Sequence, residues 1–321
     1  MRLLVTGGAG FIGSNFVHLA ASGKFPLISS ITVIDNLTYA GNLKNLENLP
    51  LSDFEFIRGD ICNPELTSKL TSRSDAIINF AAESHVDRSI SESKKFVETN
   101  VLGVQTLLEV ARLNSIQTFL QVSTDEVYGS IDQGSWSESH PLLPNSPYAA
   151  TKASADLLAR SYFRTYGLDV RVTRSSNNYG PRQFPEKFIP LLVTRLIKNL
   201  KVPIYGNGLN TRDWIHVEDH CRALYLVLTS GQAGEIYNIG GGTELTNITL
   251  TRLLLNELGL TDDQIEYVPD RLGHDRRYSV NWSKSKTELG YEPKLKLEDE
   301  LSHLVSWYKD NETWWRPILS S

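Results

Sequence analysis

The sequence is poor in the residues that mark a disulfide scaffold, a metal site or a membrane span. Its 321 residues include only two cysteines, Cys62 and Cys221, whose separation gives neither a disulfide framework nor a metal-ligand spacing. We expect both to be small buried side chains, and we expect no metal. No apolar run approaches the roughly 20 residues that span a bilayer, and no apolar N-terminal stretch precedes a cleavage site. These features favour a cytoplasmic protein without a membrane partner.

An excess of basic charge is also missing. A net charge of −5 lacks the electrostatic footprint of a nucleic-acid-binding protein, so we expect no nucleic-acid partner. An anionic small molecule can still bind, because local arginines and helix N-termini matter more than net charge. With 40% apolar and 21% charged residues, the chain has a typical globular composition and is long enough for one large domain or two interleaved ones.

Short apolar runs alternate with helix-compatible segments over the first half of the chain. Each run has the length of a buried strand, and the first one ends in a glycine cluster. This alternation predicts an α/β fold with a Rossmann-type, doubly wound parallel sheet. The predicted strands are residues 3–6, 31–34, 54–58, 76–80, 119–123 and 169–174, and the predicted helices are residues 11–22, 96–114 and 147–165.

A glycine-rich turn connects the first predicted strand to the first predicted helix. Gly7, Gly10 and Gly13 form a Gly-x-x-Gly-x-x-Gly pattern, which lets the backbone approach a pyrophosphate at the helix N-terminus. Asp35 stands 22 residues after Gly13, at the end of the second strand, where its carboxylate can accept a hydrogen bond from a ribose 2′-hydroxyl. A carboxylate there repels a 2′-phosphate, so the cofactor expected is NAD. Further candidates at the ends of the third and fourth strands are Asp60-Ile61 and Ala81-Ala82.

The rhythm of the chain changes after about residue 180, where prolines become frequent and Gly206-Asn207-Gly208 marks a tight turn. We expect a smaller, interleaved C-terminal α/β substrate domain there, with a strand at residues 235–239 that returns to the first sheet. The expected division is an NAD-binding Rossmann domain of residues 1–180, to which residues 213–242 return, and a nucleotide-sugar substrate domain of residues 181–212 and 243–321.

Two groups of residues have the chemistry of a catalytic site. Tyr148 and Lys152 are spaced i, i+4 on a predicted helix and so face the same way. A lysine ammonium beside a phenol lowers the pKa of the phenol, which makes tyrosine a usable base. Thr124, Asp125 and Glu126 follow the fifth strand, and one carboxyl of such a pair can stay protonated while its neighbour holds the charge.

Longer stretches are similar to a known family. The segment Thr6–Gly13, together with Tyr148-x-x-x-Lys152, resembles the extended short-chain dehydrogenase/reductase family. Within that family, the segment Ser123–Gly129 resembles the dTDP-glucose 4,6-dehydratases, because related epimerases and decarboxylases usually lack its Asp-Glu pair. Similar stretches are residues 37–42, 81–89, 176–181, 183–187 and 271–278, and the departures from the family pattern are Arg182, Phe188 and Leu272.

The resemblance implies a hydro-lyase that uses NAD to convert dTDP-glucose to dTDP-4-keto-6-deoxyglucose, a step of deoxysugar biosynthesis. It implies oxidation at C4, elimination of water across C5–C6 and return of the hydride to C6. Tyr148 would take the proton of the 4-hydroxyl, Glu126 would take the C5 proton, and Asp125 would protonate the departing 6-hydroxyl. The resemblance also implies a homodimer built through two long helices from each subunit, for which residues 97–111 and 147–165 are the candidates.

The site residues that the resemblance implies fall into three groups. The catalytic residues are Thr124, Asp125, Glu126, Tyr148 and Lys152. The cofactor-binding residues are Gly7, Gly10, Phe11, Ile12, Gly13, Asp35, Asn36, Leu37, Thr38, Asp60, Ile61, Ala81, Ala82, Thr99, Tyr148, Lys152 and Asn178. The substrate-binding residues are Ser84, Asp87, Thr124, Asn177, Lys187, Phe188, Pro203, Tyr205, Arg212, Asn247, Asp270, Arg271 and His274.

Three alternatives stay open on the sequence. The first keeps the reaction and replaces dTDP-glucose by UDP-glucose. The second is a nucleotide-sugar 4-epimerase or decarboxylase of the same fold, which shares Tyr148 and Lys152 but has no need of the pair Asp125 and Glu126. The third is an inactive relative that senses NAD(H), a class that typically loses the tyrosine, the lysine or a glycine, all of which are present here.

Overall fold

The computed structural model describes residues 1–49 and 54–320. Residues 50–53 and 321, which fall within the expected domain ranges 1–180 and 243–321, lie outside the described part. The strands are β1 Arg2–Thr6, β2 Ser30–Asp35, β3 Phe54–Arg58, β4 Ala76–Asn79, β5 Thr118–Thr124, β6 Val170–Ser175, β7 Asn177–Tyr179, β8 Val202–Tyr205, β9 Thr211–His216, β10 Ile236–Ile239, β11 Glu244–Thr246 and β12 Ile265–Val268.

Helices separate the strands up to β6, except that only a short 3₁₀ helix, Leu43–Leu46, is described between β2 and β3. The described α-helices are α1 Phe11–Ala21, α2 Pro64–Thr71, α3 Val86–Ser91, α4 Ser93–Val97, α5 Val104–Leu113, α6 Pro147–Tyr166, α7 Phe188–Ile197, α8 Val217–Ser230, α9 Asn247–Glu257, α10 Ser283–Leu289, α11 Leu297–Asp310 and α12 Glu312–Trp315. No helix of the described ranges combines the length and the apolar character that a membrane crossing needs.

The main sheet has seven parallel strands in the order β10-β6-β5-β4-β1-β2-β3. The order reverses between β1 and β4, which is the switch point where doubly wound sheets bind ligands. The predicted Rossmann-type fold is therefore confirmed. The strand expected at residues 235–239 also returns to this sheet as β10, where Ile236 pairs with Val172 at the outer edge.

Hydrophobic cores cover both faces of the sheet, which is why its strands read as continuous apolar runs. In β1, Leu3 and Val5 pack with α1 and α8 on one face, whereas Leu4 packs with α5 and α6 on the other. A third core lies among α7, α9 and α11. A three-stranded sheet, β11-β9-β7, and a two-stranded sheet, β12-β8, belong to this second half of the chain.

Helix α6 is the longest described helix and its sequence marks both ends. Ser146 caps the N-terminus, because its hydroxyl accepts a hydrogen bond from the Ala149 N–H at 3.1 Å, and Pro147 occupies the first turn. Gly167 ends the helix in the left-handed conformation, with φ of 71°. The helix therefore starts at a fixed residue, which sets where Tyr148 and Lys152 stand relative to the sheet.

The helix expected at residues 96–114 is interrupted by a π-helical segment, Glu98–Gly103, between α4 and α5. The wider turn brings in Asn100, whose side-chain oxygen accepts from the Glu83 N–H at 2.9 Å and whose amide donates to the Glu83 carbonyl at 3.0 Å. The same amide donates to the Thr151 hydroxyl on α6 at 2.9 Å. The irregular turn thus ties the loop after β4 to the helix of Tyr148.

The cysteines differ from each other. Cys221 is fully buried, as expected, but Cys62 is only half-buried, so the expectation of two buried side chains is wrong for Cys62. Its thiol lies 3.4 Å from the Glu98 carbonyl at the start of the π-helical segment. Both thiols are free.

Candidate active site

A cavity of about 300 Å³ opens at the carboxyl ends of the parallel strands. Its walls come from the loops after β1 to β6, which meet there because the strands are parallel. The residues around it are Gly7, Gly10, Phe11, Ile12, Gly13, Ile34, Asp35, Asn36, Thr38, Ala40, Gly41, Gly59, Asp60, Ile61, Phe80, Ala81, Ala82, Glu83, Ser84, Thr99, Val122, Ser123, Thr124, Asp125, Glu126, Tyr148, Lys152, Ser175, Ser176, Asn177, Asn178, Gln183, Phe184 and Lys187.

The glycine turn forms a cradle that a side chain would fill. A Cβ on Gly7 would lie 2.6 Å from the Ala81 nitrogen, and φ at Gly7 is 67°. A Cβ on Gly13 would lie 2.5 Å from the Gly7 carbonyl oxygen. Helix α1 begins directly after Gly10, and no side chain caps its N-terminus. Its first N–H groups therefore stay available at the end of the sheet where the cavity lies. This arrangement fits the pyrophosphate of a dinucleotide.

Asp35 is held rigidly beside this turn. One carboxyl oxygen accepts from the Ala9 N–H at 2.9 Å, and the other accepts from the Leu37 N–H at 2.8 Å. Burial raises the pKa of Asp35, and the two backbone hydrogen bonds oppose that shift. Nearby, the Asn36 amide donates to Asp60 at 3.0 Å. Asp35 and Asp60, at the ends of β2 and β3, thus both line this part of the cavity, where the ribose and the adenine are expected.

Tyr148 and Lys152 both line the cavity on buried turns of α6. The Lys152 ammonium donates to the Val122 carbonyl at 2.6 Å, and burial lowers the pKa of Lys152 to about 8. The pKa of Tyr148 is well above its ordinary value, because of burial and then the charge of Glu126. This direction is opposite to the one expected from the spacing with Lys152, since burial and the charges of nearby carboxylates raise the pKa of the phenol.

Asp125 and Glu126 begin a one-turn 3₁₀ helix that directly follows β5. The Thr124 hydroxyl caps this turn, accepting from the Glu126 N–H at 3.3 Å and donating to Asp125 at 3.3 Å. The Asp125 side chain is buried, and one of its carboxyl oxygens has no hydrogen-bond partner among the described residues. Such an atom is costly to bury unless a ligand completes it.

The two carboxyl groups have different electrostatic surroundings. Burial raises the pKa of Asp125 well above its ordinary value, and the charges of Glu126 and Asp213 raise it further. Burial also raises the pKa of Glu126, but three cations oppose that shift; they are Arg271, Arg212 and Lys187. The cations therefore favour the charged form of Glu126, whereas burial and the neighbouring carboxylates favour the neutral form of Asp125.

Five of the predicted substrate residues that do not line the cavity form a second group at its rim. Arg271 lies 3.5 Å from Asp87, and the Tyr205 hydroxyl lies 3.4 Å from the same carboxylate. His274 contacts Asp270 at 2.6 Å and packs edge-on against Tyr205, with ring centroids 6.1 Å apart. Five predicted residues from three separate segments of the chain therefore meet at one place.

Two further predicted residues supply charge next to the acid pair. The Lys187 ammonium donates to the Ser84 carbonyl at 2.6 Å, so both residues stand at the junction of cavity and rim. Arg212 is 6% exposed and stacks on the Tyr278 ring, with its guanidinium carbon 4.3 Å from the ring centroid. Its guanidinium donates to the Thr211 and Asp275 backbone carbonyls, and no carboxylate of the described residues forms an ion pair with it, so it is a candidate to bind an anion.

The remaining predicted residues have other surroundings. Phe188 opens α7 and stacks on Trp214, with ring centroids 6.3 Å apart, as part of the third core. Pro203 lies in β8, and the buried Asn247 opens α9. Leu37 does not line the cavity; instead its N–H fixes Asp35.

Sequence reasoning missed several cavity residues that flank the predicted ones. They are Ile34, Ala40, Gly41, Gly59, Phe80, Glu83, Val122, Ser123, Ser175, Ser176, Gln183 and Phe184. Most of them lie at or next to the end of a strand of the main sheet. That position is the sequence feature from which they could have been predicted. Gln183 and Phe184 come from a loop of the second half of the chain, which no strand rhythm could locate.

Comparisons with known proteins agree with this geometry. Residues 4–304 match the family model described as GDP-mannose 4,6 dehydratase. The chain is 56% identical to a dTDP-glucose 4,6-dehydratase of Actinoplanes sp., over 98% of this chain and 100% of that protein. It also superposes on DesIV, a dTDP-glucose 4,6-dehydratase of Streptomyces venezuelae crystallised with NAD and TYD bound, with a TM-score of 0.98 and 54% identity over 99% and 100% of the two chains.

A more distant structure is the UDP-glucose 4-epimerase of Thermotoga maritima, crystallised with UDP-glucose. Its TM-score is 0.89 and its identity 32%, over 97% of this chain and 100% of that one. The fold is therefore common to dehydratases and epimerases, whereas the higher identities belong to the dehydratases.

Proposed function

The chain belongs to the GDP-mannose 4,6 dehydratase family, and from that premise we propose that it removes water from dTDP-glucose. It is an NAD-dependent hydro-lyase, and its product is dTDP-4-keto-6-deoxyglucose. The observation that carries this function is the buried pair of adjacent carboxyl groups, Asp125 and Glu126, of which Glu126 has more cations around it. A 4-epimerase, which eliminates no hydroxyl, needs no such pair.

Oxidation at C4 is the first step of the proposed mechanism. The glycine turn and Asp35 would hold NAD, which would supply the hydride acceptor for this step. Tyr148 takes the proton of the 4-hydroxyl as the C4 hydrogen leaves, and Thr124 donates a hydrogen bond to the same oxygen. The positive charges of Lys152 and of the nicotinamide favour the phenolate that this role needs.

Elimination follows, because a 4-ketone makes the hydrogen on C5 acidic. Glu126 takes the C5 proton, the C5–C6 double bond forms and the C6–O bond breaks. Asp125, as a neutral acid, gives its proton to the departing hydroxyl, which leaves as water. Reduction at C6 and reprotonation at C5 complete the product and restore the cofactor.

The diphosphate of the substrate is the natural partner of the cations beside the acid pair. We assign Arg212 and Arg271 to its oxygens, since a guanidinium can bind a phosphate through two hydrogen bonds. Lys187 adds a third positive charge between diphosphate and sugar. Ser84 and Asp87 are proposed to face the sugar, and Asn177 and Asn247 line the nucleotide path. Of the remaining predicted residues, Pro203, Tyr205, Asp270 and His274 are proposed for the nucleoside end and Phe188 for packing behind it.

We also propose the division into two domains that the sequence indicates. Residues 1–180 with 213–242 form the NAD-binding part, and residues 181–212 with 243–321 form the substrate part. The return of β10 to the main sheet and the separate third core support this division. Limited proteolysis with and without NAD would test it, since cuts protected by the cofactor should fall within the first set of residues.

We propose a homodimer, built through the helices that cover one face of the main sheet. Residues Val104, Leu107, Leu108 and Ala111 of the predicted stripe pack on that sheet instead of facing a partner. The apolar side chains that stay exposed on this layer are Val97, Leu102, Leu113, Leu157 and Tyr166. An exposed apolar layer of this kind favours association with a second copy.

Sedimentation velocity tests the dimer. Leu157→Glu, on α6, should shift the protein from dimer to monomer, because leucine is 56% exposed there and the charge would be buried in the interface. Leu27→Glu is the matched control, since Leu27 is 58% exposed in the turn before β2. Equal sedimentation of both variants and the unaltered protein would contradict this interface.

The proposed location is the cytoplasm, where NAD and nucleotide sugars are available to an enzyme with free thiols. Fractionation of cells that express the full chain, with marker enzymes for each compartment, tests this proposal. Recovery of the protein with a non-cytoplasmic marker would contradict it.

The decisive assay incubates the purified protein with dTDP-glucose, without added NAD, and follows the alkali-treated product by its ultraviolet absorbance. UDP-glucose runs in parallel, and Glu126→Gln is the control. We expect a strong signal with dTDP-glucose that the substitution removes. A signal mainly with UDP-glucose would keep the reaction and change the substrate, and no signal with either sugar, even with NAD added, would refute the dehydratase function.

A further inference from the structure

A buried ion pair lies between the main sheet and α6, outside the cavity. Arg174, on β6, is 1% exposed, and Asp156, on α6, is completely buried. The guanidinium Nε donates to the carboxylate at 2.9 Å. Burying two charges costs more in lost hydration than their attraction usually returns, so an apolar pair of similar size would stabilise the fold at least as well. Stability alone therefore does not explain this pair.

The Arg174 guanidinium also contacts a second buried side chain, Tyr128. Its Nη1 donates to the Tyr128 hydroxyl at 2.8 Å, and its guanidinium carbon lies 4.7 Å from the Tyr128 ring centroid. The Tyr128 hydroxyl in turn donates to the Asn238 side-chain oxygen on β10 at 2.8 Å. Tyr128 is fully buried, so its three contacts hold it in one position.

Both partners of Arg174, Tyr128 and Asp156, lie near catalytic groups in the chain. Tyr128 is the last residue of the 3₁₀ turn Asp125–Tyr128, which begins with the acid pair. Asp156 stands one helical turn after Lys152 on α6, and its charge acts on that lysine's ammonium. Arg174 thus connects the turn that carries the elimination groups to the helix that carries the oxidation groups.

We propose that Arg174 and Tyr128 are positioning residues that hold the turn of Asp125 and Glu126 in register with helix α6. The proposal rests on the dehydratase function. The two halves of the reaction use groups on different elements, Tyr148 on the helix and the acid pair on the turn. A looser connection between the elements should therefore slow elimination and leave oxidation at C4 nearly unchanged, because a displacement of about 1 Å can cost on the order of a hundredfold in rate.

The test compares two buried tyrosines that each lose one hydroxyl. Tyr128→Phe removes the link to Arg174, whereas the control, Tyr237→Phe, removes a hydroxyl that contacts Gln232 and Glu288 on the other face of the same sheet. Each variant is mixed with dTDP-glucose, quenched rapidly and analysed by mass spectrometry. The method separates the sugar nucleotide that is oxidised at C4 and still carries its 6-hydroxyl from the dehydrated species. Melting temperatures are measured alongside.

We expect Tyr128→Phe to accumulate the C4-oxidised, hydrated sugar nucleotide, with elimination slowed about tenfold, while Tyr237→Phe behaves as the unaltered protein does. If Tyr128→Phe lowers the melting temperature without changing the ratio of the two species, its role is structural only and the inference is wrong. Arg174→Lys is the second variant, should the first not fold; it keeps a charge for Asp156 and should show the same accumulation.

The unaltered protein separates this inference from the proposed function. If it does not convert dTDP-glucose at all, the dehydratase function fails and the inference fails with it. If it converts the substrate and both variants match its ratio of oxidised to dehydrated species, only the positioning role is refuted.

Discussion

The active-site cavity has two sides, which different kinds of contact form. We call the side along Gly7 and Gly13 the glycine half, and the side around Asp125 and Tyr148 the acid–base half. On the side of the glycine turn, the contacts come from backbone geometry and one carboxylate, since Gly7 and Gly13 leave no room for a Cβ and Asp35 is fixed by two N–H groups. On the side of Asp125, the contacts come from buried side chains of opposite charge. The first half is set by local chain conformation, and the second by tertiary packing.

This difference separates binding from chemistry. A change in the glycine half should alter how well the cofactor is held and leave the sugar chemistry of the loaded enzyme intact. A change in the acid–base half should alter individual steps and leave cofactor binding intact. Substitutions in each half should therefore have effects that differ in kind as well as in size.

Tyr148→Phe should remove nearly all activity, because both oxidation and the later elimination depend on the proton taken from the 4-hydroxyl. We expect dTDP-glucose turnover to fall by about 10³-fold, within the range for loss of a general base, with NAD content unchanged. Tyr162→Phe is the control on the same helix, where the hydroxyl contacts Glu109 at 3.1 Å. Loss of bound NAD from Tyr148→Phe would show that the two halves are not separate.

Asp125→Asn should arrest the reaction after oxidation at C4. The asparagine keeps the size of a neutral acid but has no proton to give to the 6-hydroxyl, so elimination should slow by about 10²-fold. Quenched samples should contain the sugar nucleotide that is oxidised at C4 and still carries its 6-hydroxyl. The melting temperature at pH 7 should not fall, because the raised pKa of Asp125 already favours its neutral form in the folded protein. A fall would mean that this carboxyl is charged there.

Asp35→Asn should act on the glycine half alone. An amide offers one acceptor oxygen for the Ala9 and Leu37 N–H groups instead of two, and it has no charge to reject a 2′-phosphate. We expect about tenfold weaker retention of NAD through dialysis, an order of magnitude for a lost charge-assisted hydrogen bond, with relatively better use of NADP. With saturating NAD, the rate of dehydration should return to that of the unaltered enzyme. A rate that stays low under saturation would contradict the separation.

Lys152→Met should give the smallest of these effects, and the quantity measured is the melting temperature. Burial lowers the folded-state pKa of Lys152 to about 8 from an ordinary value of 10.5, so the unfolded chain binds more protons between these pH values. Stability therefore rises with pH across that window, and the cost of the buried ammonium is fully present below it. The substitution should raise the melting temperature by a few degrees at pH 7, a gain that disappears towards pH 10.5. A lower melting temperature at pH 7 would show that the contacts of the ammonium outweigh its lost hydration.

The sequence was sufficient for the glycine half and for much of the main sheet. Buried parallel strands are continuous apolar runs, and the glycine pattern sits where a strand meets a helix, so both are visible without tertiary information. The i, i+4 spacing also placed Tyr148 and Lys152 on one face of α6, whose two ends are marked by Ser146 and Gly167.

Other features depend on packing between distant segments, which spacing does not reveal. The sequence predicts a lowered pKa for Tyr148, whereas its surroundings in the structure raise it. An i, i+4 pattern gives no information about burial or about the charge of Glu126. The π-helical turn at Glu98–Gly103 contains no helix-breaking residue other than its final glycine; the partner of Asn100 is a backbone segment after another strand. The residues at the rim around Arg271 come from separate loops, so only the resemblance to the family predicts that they meet.

The late return of β10 to the main sheet has a consequence for how the protein is made. Strand β6 ends at Ser175, but the strand that covers its outer edge begins at Ile236, so a ribosome needs on the order of several seconds to supply it. During that time the nascent chain presents an open edge that can pair with a neighbouring nascent chain. We therefore expect the yield of folded enzyme to depend on chaperone supply until β10 has been made and has closed this edge of the NAD-binding part.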